Sequence, residues 1–132
     1  MKSVKRYAVL FLLWGCAATI RSAATEPIVT ERLYFGRNIA DTLGVTDSLW
    51  AVFLREVVMA RLPSGFTFWA AEGEWRAPNG QSSREPTFVL EVVHPAPSAT
   101  TDSAIVAIIA EYRRRYSQQS VLRVRTPGRA SF

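Results

Sequence analysis

Five side chains have the types and positions to build a binding site: Arg32, Tyr34, Trp69, Glu91 and Arg123. Two guanidiniums, Arg32 and Arg123, could grip a carboxylate or phosphate through paired, charge-assisted hydrogen bonds. Tyr34 and Trp69 would wall such a ligand with apolar surface, and Glu91 stands on the same face. The same residues have a second use, in which Glu91 pairs with Arg32 across neighbouring strands and a second copy of the chain covers the whole face. In a third, Tyr34 is the acid of a small enzyme site.

The remaining candidates are weaker. His94, the single histidine, precedes Pro95 at a strand end, where a solvated loop histidine is the expected role. No nucleophile-elbow pattern accompanies it, and one histidine with no cysteine beyond Cys16 cannot make a usual zinc site. No lysine follows Lys5, which excludes Schiff-base and Ser-Lys chemistry. Glu72, Glu74 and Glu85 crowd a hairpin without a partner pattern and read as solvated charges. Arg113, Arg114 and Arg115 end a helix, where cations favour the macrodipole.

The first 24 residues have the form of an export signal. Lys2, Lys5 and Arg6 precede an apolar run from Ala8 to Ile20, and Ser22-Ala23-Ala24 offers a small-residue cleavage site. The run is too short to span a bilayer. Leu13-Trp14-Gly15-Cys16 resembles a lipobox, so Cys16 is a candidate for lipidation and for a new N-terminus; cleavage after Ala24 is the alternative. Lipid attachment would hold the protein at a membrane.

Charge changes once this segment is set aside. Four of the 16 basic residues (Lys2, Lys5, Arg6, Arg21) precede Thr25, which leaves 12 against 11 acidic residues and a net charge of +1. A nucleic-acid partner is therefore not expected, because no basic excess remains for phosphates. With one cysteine no intramolecular disulfide can form, so a packed core must carry the stability.

These residues must be positioned by a small set of elements. After a tether over 25–30, Glu31 to Asn38 alternates like a strand, and Asp41 to Val45 is a loop hinged at Gly44. Thr46 is placed to cap a helix whose Trp50, Phe53, Leu54, Val57, Val58 and Leu62 return to one face, and Pro63-Ser64-Gly65 ends it. Phe66–Arg76 and Arg84–His94 read as a hairpin turning at Asn79-Gly80. Trp75 then faces Arg84, and a bulge at Gly73 is needed to bring Phe68 opposite Leu90. Pro95 to Ser98 links to a second helix, capped by Thr100 or Thr101, with the stripe Ile105, Ile108, Ile109, Tyr112 and Tyr116. Ser120–Arg125 is the last strand, and Thr126-Pro127-Gly128 turns into a tail.

The order βαββαβ predicts an α+β, ferredoxin-like domain over 31–132, a four-stranded antiparallel sheet with two helices on one face. The strands would lie fourth, first, third, second. Alternation assigns Leu33, Phe35, Phe66, Phe68, Phe88, Leu90, Val92, Leu122 and Val124 to the helix side. Arg32, Tyr34, Gly36, Thr67, Trp69, Val89, Glu91, Val121 and Arg123 are assigned to the open side.

Arg-Leu-Tyr-Phe-Gly-Arg-Asn at 32–38, Trp50 with Phe53, Pro63-Ser64-Gly65-Phe66-Thr67, Gly73-Glu74-Trp75-Arg76, Arg84-Glu85 and Gln118-Gln119-Ser120-Val121 together resemble the bacterial exported family of domain of unknown function 3574. The family's Pro-Asp-Gly is here Pro63-Ser64-Gly65. The resemblance implies envelope localisation and a common fold, and it brings no reaction. The expected function is thus an exported ligand-binding or protein-interaction module in the periplasm or on the membrane. Its expected partner is a small acidic ligand or a second copy, and no cofactor is expected. The alternative is a small cofactor-free enzyme, of lyase, isomerase or oxygenase type, acting on an acidic or aromatic metabolite; this rests on fold analogy.

Overall fold

A computed structural model describes residues 24–40, 42–76 and 79–131. Residues 1–23, which hold Cys16 and all of the leader but Ala24, lie outside them, as does Pro78. Strand β1 (Glu26–Gly36) is followed by two short strands, β2 (Asn38–Ile39) and β3 (Thr42–Leu43), which pair as a miniature hairpin where a simple loop was expected. The first helix runs as α1 (Asp47–Phe53), a π-helical turn (Leu54–Val58) and α2 (Met59–Arg61). Strands β4 (Thr67–Arg76) and β5 (Ser82–Pro95), helix α3 (Ala99–Tyr116) and strand β6 (Leu122–Ala130) complete the order. The four long strands pair antiparallel as β4-β5-β1-β6, the predicted ferredoxin-like arrangement.

Both helices pack on one side of this sheet. Leu33, Phe35, Phe88, Leu90 and Val92 meet Trp50, Phe53, Val57 and Val58 of the first helix and Ile105, Ile108, Tyr112 and Tyr116 of α3. Trp50 stacks on Phe88 with centroids 4.6 Å apart, and Phe35 meets Tyr112 at 4.7 Å. Burial pushes the Tyr112 phenol up, which keeps it a donor to the Gly36 carbonyl at 2.8 Å. That bond ties α3 to the end of β1. The wider π turn holds the adjacent Val57 and Val58, both buried.

Local signals were obeyed unevenly. Thr46 caps α1 as expected, accepting from the Leu49 amide at 3.3 Å. Ser98, and neither Thr100 nor Thr101, caps α3, because the helix starts at Ala99 and the Thr101 amide then falls within reach of the Ser98 hydroxyl. Residues 26–30 are no tether: they pair with β6 on one side, and from Ile28 onward with β5 on the other. Pro127 and Gly128 are likewise strand residues, tolerated because β6 is an edge strand.

The hairpin turn is longer than two residues. Trp75 lies opposite Ser83 and Gly73 opposite Glu85 in unbroken register, so no bulge is needed to put Phe68 opposite Leu90. Asn79 supports the loop by accepting from the Gln81 amide at 3.0 Å, and Gly80 takes φ +85°. Arg84 therefore lies opposite Glu74 and not opposite Trp75.

The last strand is offset by one residue from the expected faces. Leu33 is opposite Arg123 and Tyr34 is opposite Leu122. Leu122 and Val124 therefore sit on the open side, 60% and 39% exposed, while Val121 packs against the core. Arg123 turns to the helix side, where it meets fully buried Glu31.

Candidate functional site

The structure separates the two guanidiniums that were to share a ligand. Arg32 remains on the open face and is bonded to Glu91 at 2.6 Å. Arg123, on the opposite face, forks onto Glu31 at 2.9 and 2.7 Å and reaches Asp102 of α3 at 2.6 Å. Arg125 adds a contact to Glu31 at 3.0 Å. Burial pushes the Glu31 carboxyl up, but the hydrogen bonds and charge of Arg123, with help from Arg125 and His94, more than offset this and hold it below the usual carboxylate range. His94 belongs to this cluster and is no loop residue. It is buried, its Nδ1 lies 2.9 Å from the Pro95 carbonyl oxygen, and its Nε2 stands 3.7 Å from Glu31.

Tyr34, Trp69, Arg32 and Glu91 do share the open face. One row across the sheet reads Trp69, Val89, Tyr34, Leu122; the next reads Thr67, Glu91, Arg32, Val124. Arg32 is neutralised where it stands, so this face as a whole offers no free anion grip.

A cavity of about 590 Å³ lies at the end of the face, where β1 leaves the sheet and β5 and β6 enter it. Tyr34, Asn38, Ser83, Glu85, Thr87 and Gln118 give it a polar lining. Its walls come from three of the segments that carry the family resemblance, 32–38, 84–85 and 118–121. Of the expected site residues only Tyr34 lines it.

Glu85 is the charged group of the cavity. Its carboxylate lies over Gly36, where a Cβ would collide with Oε1 and come within 2.9 Å of the carboxyl carbon. Oε1 accepts from the Asn38 amide at 3.4 Å. Among the described residues no cation pairs with Glu85. Gly36 thus makes room for a carboxylate that has no countercharge among the described residues. The sequence signal was available in the combination of Gly36 with Glu85, yet only strand pairing brings the two together.

Two backbone positions on the rim are unusual. Ala40 (φ 49°) and Ser117 (φ 51°) both take the left-handed conformation, which costs a non-glycine residue about 1–2 kcal/mol. Ser117 ends α3 and lets Gln118 turn back, where its Nε2 donates to the Asn38 carbonyl at 2.7 Å. Strain at such positions persists where surrounding bonds hold it, commonly at ligand sites. Among the described residues no three His, Cys, Asp or Glu side chains gather to hold a metal.

The fold has relatives among solved structures. A phage SAM lyase in complex with S-methyl-5'-thioadenosine superposes with a TM-score of 0.58 at 15% identity, covering 80% of this chain and 90% of that one. A phage SAM lyase in the apo state gives a TM-score of 0.56 at 16% identity, covering 79% and 89%. At such identity the likeness is one of fold. A search of the curated proteins found no match. The model of a protein family of unknown function, DUF3574, matches residues 30–132, and the chain therefore belongs to the DUF3574 family.

Proposed function

We propose that this protein is an exported envelope component that binds a small, positively charged organic molecule in the cavity at the end of its sheet. The observation that carries this reading is the Glu85 carboxylate, held over Gly36 with no cation paired to it among the described residues. An unneutralised carboxylate in a partly enclosed polar site favours an ammonium or sulfonium centre, and Asn38, Ser83, Thr87 and Gln118 offer hydrogen bonds for its polar substituents. The ligand class is thus cationic, opposite to the acid that Arg32 and Arg123 would have held.

The fold likeness supports a second reading, the cofactor-free lyase. SAM is a sulfonium cation, so its charge suits Glu85. When its C–S bond breaks the sulfur keeps the bonding pair and leaves as a neutral thioether, so no acid is required, and Tyr34 serves as a polar wall of the same cavity.

Titration with SAM tests both. The protein is expected to bind it, and Glu85→Gln to weaken binding at least about tenfold, or about 1.4 kcal/mol. Binding of S-methyl-5'-thioadenosine, which lacks the sulfonium charge, should change less. Equal SAM affinity in both proteins would remove Glu85 from the site. Formation of S-methyl-5'-thioadenosine from SAM faster with the protein than in buffer alone would establish the lyase, and binding without such acceleration the module.

Export is supported by the leader, Lys2 through Ala24. The intact mass of protein recovered from its native membrane and soluble fractions should correspond to a chain beginning at acylated Cys16 or at Thr25. Recovery of the uncut chain alone would refute export by cleavage.

A further inference from the structure

We infer that the open face of the sheet is a homodimer interface, and that the second copy borders and narrows the mouth of the Glu85 cavity. Four large apolar side chains stand exposed on this face: Trp69 (40%), Val93 (49%), Leu122 and Val124. They surround the Arg32–Glu91 pair, while Val89 in the same row is fully covered. Exposed apolar side chains on three of the four strands, with a charge pair already neutralised between them, are the surface that a second copy would cover.

The occupant follows from the order of residues in the rows. In a two-fold pairing with its axis along the strands, between β1 and β5, each row is laid over itself in reverse. Trp69 then faces the partner's Leu122, and Arg32 faces the partner's Glu91, while Tyr34 lies over the row position where Val89 is already covered. Every contact is repeated by symmetry, aromatic on aliphatic and cation on anion, as a self-complementary surface requires. The four charges alternate around a square, so each guanidinium gains a second carboxylate.

Size is sufficient. Four strands about 4.8 Å apart and about eight residues long at about 3.3 Å each give a projected patch of roughly 500 Å² per copy. Two such patches, before side-chain relief is added, reach the roughly 1,000 Å² that a specific interface needs. Tyr34 and Leu122 belong both to this face and to the cavity lining, so a copy seated on them closes part of the cavity's mouth. That consequence rests on the cavity being the ligand site; the pairing itself does not.

Charge exchange between copies tests the pairing. The full-length protein should sediment as two chains over a wide concentration range. Arg32→Glu and Glu91→Arg should each raise the dimer dissociation constant about a hundredfold, because like charges then meet across the interface. Mixing the two variants should restore a dimer containing one of each, which repair within a single chain cannot do. Val124→Asp, on the same face but outside the charge pair, should also give monomers with an unchanged circular dichroism spectrum. A wild-type monomer, a trimer, or single variants that stay dimeric would overturn the pairing. Glu85→Gln should leave the mass at two chains, so failure of the ligand site and failure of the dimer are read separately.

Discussion

Glu31→Ala is expected to lower the unfolding free energy by about 3 kcal/mol, because breaking a buried ion pair leaves the other charge without its partner. Arg123 is mostly covered and keeps only Asp102; half-exposed Arg125 can turn to water. Urea unfolding measures the loss. Glu31→Leu combined with Arg123→Leu should recover about half of it, since two apolar side chains have no charge to strand. Acid provides a second readout. A carboxyl held below its usual range binds fewer protons folded than unfolded, so its contribution is present above the usual carboxylate pKa and is lost as pH falls through the native value. Glu31 and Asp102 both behave this way, Asp102 chiefly through its hydrogen bond from Arg123. Glu111 joins them, lowered from 4.5 to about 2 by hydrogen bonds from Arg114 and then Arg115. Stability should therefore decline from pH 4.5 toward 2, and more gently in Glu31→Ala. Parallel declines in the two proteins would show that Glu31 does not titrate with folding.

This cluster also explains where sequence reading stopped. Helical spacing was enough for the cores of both helices, since Trp50, Phe53, Ile105, Ile108 and Tyr112 each recur on a face that has only one large apolar surface to cover. Strand order followed from the alternation of elements and the handedness of crossovers. The last strand was different. Val121, Leu122, Arg123, Val124 and Arg125 alternate in a way that satisfies either face, and the rule that apolar residues turn inward selected Leu122 and Val124. That rule fails at this edge, because the space beneath it holds Glu31 and Asp102, whose charges call for arginine. A buried carboxylate in the first strand and an acid in the first turn of a helix are distant in sequence, and nothing local marks them as partners. The hairpin failed for a related reason: Asn79-Gly80 suits a two-residue turn, and a longer loop with an Asn79 side-chain bond satisfies the same residues. At the cavity, Tyr34 was legible as an aromatic on the open face. Glu85 was not, because its role comes from the empty space above Gly36, a property of two strands in register.

Gly36→Ala is expected to reduce affinity for the cationic probe about a hundredfold while leaving the fold intact. Added at Gly36, a methyl group meets the carboxylate end of Glu85, the most easily displaced part of that side chain. The strand accepts alanine there, since Gly36 does not occupy the positive-φ region. The cost to folding is therefore small, and it falls on the site: Glu85 swings out, the Asn38 amide loses its acceptor, and the methyl fills the space above β1. A misplacement of about 1 Å can cost about a hundredfold. Gly36→Ala should exceed Glu85→Gln in effect, because the glutamine keeps the shape of the cavity and the hydrogen bond from Asn38. The two changes should also fail to add, with Gly36→Ala/Glu85→Gln binding no more weakly than Gly36→Ala alone, since both act through one carboxylate. Additive losses would mean that Gly36 serves the ligand directly through the backbone, and an unchanged affinity in Gly36→Ala would place the binding site elsewhere.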